Sequence, residues 1–202
     1  MFKKIIYLFL TITSISLSTV NADVPAQVKP IQCSPQLKKH LNMILTIPEA
    51  RALIAAIQSE GNFSIVTNNH QLSKQFGAFW DMTNRKICIS LTSNCSEGEI
   101  LGSILFELQN AAVNSKLEQL DYLAATRRIK KEAYVQQVER LEYENSKKAV
   151  VLAKKGIELG ILPKNACLPT YNSFEEHYRF QKIGGHSEVI GKNYDQLMTT
   201  SF

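Results

Sequence analysis

The sequence predicts an α+β fold. It is expected to be mainly helical, with a small antiparallel sheet or hairpin over about residues 62–91 packed on a helix at about 97–114 and a long helix at about 131–159. Three observations predict this. Apolar residues recur at three- and four-residue intervals through much of the chain, the spacing of one buried helix face. Between Asn62 and Leu91 the period changes to alternation, the spacing of half-buried strands. No repeat or low-complexity tract divides the remainder, and 202 residues are enough for one domain with a real core.

In chain order, the first segment stands apart. MFKK, the apolar run IIYLFLTITSISL and small residues up to Ala22 have the layout of a secretory signal, and the run is too short and too rich in Ser and Thr for a stable membrane span. Residues 1–22 are expected to be removed, leaving 23–202 as a single exported domain, periplasmic or secreted. Loss of Lys3 and Lys4 lowers the formal charge from +5 to +3. That excess does not argue for nucleic acid, and the cluster Arg127, Arg128, Lys130 and Lys131 has no interleaved aromatic rings for base stacking. It reads as a solvated junction between helices.

Residues 23–32 contain proline and no pattern, which fits an extended lead-in. Leu37, Leu41 and Leu45 mark a short helix over 36–45. A second helix follows, with Thr46 as N-cap, Pro48 and Glu49 in the first turn, and Gly61 as the stop. Strands are expected at 62–67, 76–80 and 86–91, the last two joined by a turn at Asp81–Arg85 as an antiparallel hairpin. In the helix at 97–114, Ile100, Leu101, Ile104, Leu105, Leu108, Ala111 and Ala112 share a face, and Glu107 lies at its margin. A short helix through Leu117, Leu120 and Leu123 precedes the long one, which ends at Gly160 and Pro163. From about Phe174 the chain carries Gly184-Gly185 and no sustained period, so loops and a frayed tail are expected. Trp80, Tyr134 and Tyr143 are expected in or near the core.

Four cysteines in the exported part favour two disulfides, and four allow three connectivities. The preferred pairs are Cys33–Cys167, tying the start of the domain to the segment after the long helix, and Cys88–Cys95, closing a short loop. No histidine stands in a recognisable relation to any of them, so a catalytic thiol is not expected.

The succession of a strand, the hairpin GAFWDMTNRKICISL, an acidic loop and a helix carrying LFELQNA resembles the core of zincin-type metallopeptidases over about residues 62–115. In that family the helix bears H-E-x-x-H. Its two histidines hold zinc from one helix face, and its glutamate acts as general base. Glu107 falls on the glutamate of that motif, but Phe106 and Asn110 stand where the histidines would be. Phenylalanine offers no ligand atom and an amide oxygen is a poor one for zinc, so the resemblance implies an inactive relative without a metal. It also implies Glu142 as the counterpart of a third ligand from a later helix. The plainer reading of Glu142 is a solvated helix on which Glu139, Glu142 and Glu144 alternate with Arg140, Lys147 and Lys148. Glu107 itself reads as a buried polar contact with Asn110, a binding carboxylate or a general base. His40, His70, His177 and His186 read as surface residues.

Three functions are therefore expected in turn. The first is an exported, non-catalytic zincin-like domain that binds a protein or peptide through the former active-site cleft, with Glu107, Asn110 and Glu142 as its binding residues and no cofactor. The second is a peptidase-like hydrolase with altered or absent metal, in which Glu107 is catalytic and works with Glu142. The third is a secreted effector or envelope interaction protein.

Overall fold

A computed structural model describes residues 27–68, 75–91 and 94–200. The expected leader at 1–22 and His70 lie outside the described residues. The fold is mainly helical α+β: a four-stranded sheet and seven α-helices among the described residues. The strands are β1 (Gln32–Cys33), β2 (Ser64–Thr67), β3 (Ala78–Asp81) and β4 (Lys86–Ile89). The helices are α1 (Lys38–Leu45), α2 (Pro48–Glu60), α3 (Glu97–Ala112), α4 (Asn114–Ala125), α5 (Lys131–Glu158), α6 (Phe174–Ile183) and α7 (His186–Thr200). No helix among the described residues is long and apolar enough to cross a membrane.

The expected hairpin forms, with β3 antiparallel to β4 and Ala78 opposite Ile89. Asp81 shapes the turn by accepting the Asn84 backbone N–H on Oδ1 at 3.0 Å. The sheet as a whole is mixed, not antiparallel. β2 runs parallel to β4, the two-residue β1 adds parallel to β2, and the order is β1-β2-β4-β3. β4 takes an interior place because Ile87, Cys88 and Ile89 are all buried, which needs cover on both faces.

α3 lies at the centre. Ser96 accepts the Glu99 backbone N–H while Glu99 reaches back to Ser96, a capping box that fixes where the helix begins. Leu101, Ile104, Leu105 and Leu108 are at most 1% exposed, and each buried side chain of this kind contributes about 1.5–3 kcal/mol. They pack against α2, β3 and β4, and α5 lies along the helix. α2 starts differently from expectation. Ile47 is its N-cap, and the Thr46 hydroxyl donates instead to the Met43 carbonyl at 2.6 Å.

Two expectations are corrected here. The region from Phe174 is not irregular. It forms α6 and α7, with Ser173 accepting the Glu176 N–H at 3.1 Å and Gly185 turning the chain at φ +80°. The helical period is hard to read because the inward positions include His177 and Ser187 alongside Ile190. The expected disulfides Cys33–Cys167 and Cys88–Cys95 are not formed, since Cys33, Cys88 and Cys167 are free thiols. Cys88 is built into the core of β4, where its sulfur accepts from Asn68 Nδ2 at 3.4 Å, and the Cys33 thiol faces the Ser34 carbonyl at 3.5 Å. An even cysteine count does not bring sulfurs within bonding reach.

Gly102 lets the 3-10 turn at Lys164–Ala166 lie directly on α3. A Cβ there would come 2.6 Å from the Ala166 carbonyl oxygen and 2.7 Å from Leu168 Cγ. Because the nearest obstacle is backbone, Gly102→Ala is expected to cost about 1–3 kcal/mol, read as a lower urea midpoint at unchanged slope.

Candidate active site

Glu107 sits on the buried face of α3 at 3% exposure, between the helix and the hairpin. Asn110, one turn on, donates from Nδ2 to Glu107 Oε2 at 3.0 Å and accepts on Oδ1 from Asn145 Nδ2 of α5 at 2.9 Å. The Trp80 backbone N–H of β3 also serves the carboxyl. Trp80 is fixed in turn by its indole N–H, which donates to Asn114 Oδ1 at 2.8 Å. Burial pushes the Glu107 carboxyl up to about 8, against the hydrogen bond from Asn110. The nearby Glu142 charge adds to the rise and His186 opposes it.

The second half of the site is built on α5. Glu139 is fully buried, and its carboxylate receives three groups from the last two helices. His177 Nε2 lies 3.2 Å from Oε2, while His186 Nδ1 at 3.2 Å and the Ser187 hydroxyl at 2.6 Å face Oε1. Burial alone would raise this carboxyl. The hydrogen bonds from His177, His186 and Ser187, with the His186 charge, overcome it and bring it down to about 2. One turn along α5, Glu142 Oε2 lies 3.6 Å from His186 Nε2. Burial would lower the His186 imidazole, but the charges of Glu142 and Glu139 raise it to about 9. Burial also raises the Glu142 carboxyl, with His186 working against it.

Glu107, Asn110, Glu142, His177 and His186 line one cavity of about 1020 Å³, together with Trp80 and Phe106. A space of that size accommodates a small ligand or a short segment of polymer. α3 cannot hold a metal by the H-E-x-x-H geometry, since Phe106 and Asn110 occupy its ligand positions. Among the described residues Glu139, Glu142 and His186 do form a group that can present three ligand atoms within 4.8 Å of one another. No family model, curated protein or solved structure matches the chain.

The residues singled out in the sequence, Glu107, Asn110 and Glu142, come together on the cavity wall. His177 and His186 are not surface residues but part of it, at 4% exposure for His177 and 19% for the His186 side chain. Glu139, read as part of a solvated charge pattern, is the most deeply buried carboxylate of the group. One signal for it lay in its spacing, because Tyr134, Val135, Val138 and Glu139 share the buried side of the first turns of α5.

The raised Glu107 carboxyl carries a stability consequence. The folded chain holds this proton more tightly than the unfolded chain, so stability falls as pH rises from about 4.5 through about 8. Glu107→Gln removes the ionisation. Its thermal midpoint relative to the native chain is expected to improve between pH 5 and pH 8, by on the order of a few kcal/mol in stability at the upper end. Melting curves at both pH values check this.

Proposed function

We propose that the chain is a hydrolase of the acid–base type that cleaves a peptide held in the cavity. The observation that supports this reading best is the convergence of Glu107 from α3, Glu142 from α5 and His186 from α7 on one cavity wall. Three elements distant in sequence bring two carboxyls and an imidazole to the same space, and only Glu107 is held by amide donors while Glu142 faces the His186 imidazole, a difference that supports unlike acid and base roles.

In this reading Glu107 is the general acid. Held neutral near pH 7, it gives its proton to the leaving amine as the carbon–nitrogen bond breaks. Glu142 is the general base. It takes a proton from the water that adds to the carbonyl carbon, and the cationic His186 at 3.6 Å favours its ionised form against burial. Glu139 fixes the His186 ring from behind, and Asn145 fixes Asn110, which in turn holds Glu107. The resemblance of residues 62–115 to zincin-type peptidases supports the same substrate class, with α3 as the inherited helix and the histidine positions lost. The leader-like pattern of residues 1–22 supports action outside the cytoplasm.

Non-catalytic binding of a peptide or protein in the same cavity is the second reading. It is favoured by one observation: Glu107 is only 3% exposed, with its carboxyl already held by Asn110 and the Trp80 N–H. One assay separates the two. The purified chain is incubated with a peptide library at pH 7, and products are read by mass spectrometry. The acid–base reading expects cleavage that falls by about 10²–10⁴-fold in Glu107→Gln. Retention of intact peptides by native chain and variant alike would leave only binding, and equal cleavage by both would remove Glu107 from the chemistry.

A further inference from the structure

The polar groups that α5 and α6 bring to this cavity have more capacity than their own contacts use. Among the described residues Glu142 has one polar partner, His186 Nε2 at 3.6 Å, and no hydrogen-bond donor. His177 is 4% exposed, lines the same cavity, and its Nδ1 has no partner among the described residues. Buried networks left partly satisfied are costly, so open positions of this kind point to something that fills them.

We propose that Glu142 and His186, backed by Glu139, form a binding site for one divalent transition-metal ion. The inference concerns the metal-bound form of the same cavity, in which Glu142 is a ligand and not the base, and it rests on the active-site reading for the ion's role but not for its binding. The geometry carries it. Ligand atoms of Glu139, Glu142 and His186 lie within 4.8 Å of one another. Nitrogen and oxygen ligands sit about 2.0–2.2 Å from an ion such as zinc, so neighbouring ligands on one ion lie roughly 3–3.6 Å apart. The one pair that can meet on a single ion, His186 Nε2 and Glu142 Oε2, lies at the upper end of that range at 3.6 Å, while the 3.2 Å contact of Glu139 Oε1 with His186 Nδ1 holds the other side of the ring.

The orientation of His186 adds an independent point. A metal-binding histidine ordinarily presents one ring nitrogen to the ion while a carboxylate holds the other. Here Glu139 occupies the Nδ1 side, and Nε2 is left towards Glu142. Glu139 is itself anchored by His177 and Ser187, so the ring is held in place without the ion. Carboxylate and imidazole ligands, with no thiolate, suit zinc, manganese or cobalt rather than a soft ion. The ion would take the place of the His186 Nε2 proton, while the Nδ1 side stays with Glu139. Its positive charge would lie on the cavity wall shared with Glu107, and the ligands would come from α5 and α7 instead of α3.

The test is a titration of metal-free protein with Co²⁺, followed by absorption spectroscopy and by metal analysis after dialysis. One equivalent is expected, with weak visible bands from oxygen and nitrogen ligands and no sulfur charge-transfer band. Glu142→Gln and His186→Ala are each expected to weaken binding at least tenfold, while Glu107→Gln retains it. Glu142→Gln leaves every contact of Glu139 intact and decides the matter if His186→Ala does not fold. The absence of saturable one-to-one binding, a sulfur band, or unchanged affinity in Glu142→Gln would overturn the site. Binding is read without any substrate. One-to-one binding in a protein that cleaves nothing would overturn the hydrolase reading and leave the metal site standing.

Discussion

Glu139 is buried to the last atom, and an ionised carboxylate in that position without partners would cost several kcal/mol. Its partners are not on its own helix. They are His177 from α6 and His186 and Ser187 from α7, so satisfying this one group requires both C-terminal helices to dock on α5. A small apolar cluster of Leu120, Ala124, Tyr134, Val135, Val138 and Ile190 joins α4, α5 and α7. Apolar burial supplies non-directional attraction there, while the carboxylate specifies which ring nitrogens and which hydroxyl must arrive. The cavity wall that carries Glu142 and His186 is a product of that docking.

On the other side, α3 supplies Glu107 from within the main core. There the environment has the opposite effect on a carboxyl: few donors, deep burial, and a shift upwards instead of downwards. Two glutamates of the same intrinsic acidity therefore face one region of the molecule in opposite protonation states. This difference comes from the surroundings, from deep burial with only the Asn110 amide and the Trp80 N–H at Glu107, and from two imidazoles and a hydroxyl around Glu139. Holding Glu107 in place works against stability above its ordinary titration range.

Much of this fold was legible in the sequence, for identifiable reasons. α3 and α5 could be read because aliphatic residues repeat along them, and the β3–β4 hairpin because its turn residues Asp81–Arg85 lie between alternating runs. Glu107 stood out as a carboxylate interrupting an apolar stripe, and Asn110 followed from it. α6 and α7 were hidden because their inward positions include histidine and serine, which no hydrophobic period registers. Glu139 was hidden by Arg140 beside it, which made a buried acid look like part of a solvated alternation. The parallel pairing of β2 with β4 depends on a long-range insertion that local spacing does not encode. Cysteine number carries no distance information, and the expected disulfides failed for that reason.

The central claim is that Glu139 holds α6 and α7 in place and so assembles the wall of the site. Hydrogen exchange of the native chain and Glu139→Gln, followed helix by helix, tests it most directly. The account predicts amide exchange at least tenfold faster across α6 and α7 in the variant, with α3 keeping its native protection. Native protection across α6 and α7, or an equal loss over every helix, would contradict it.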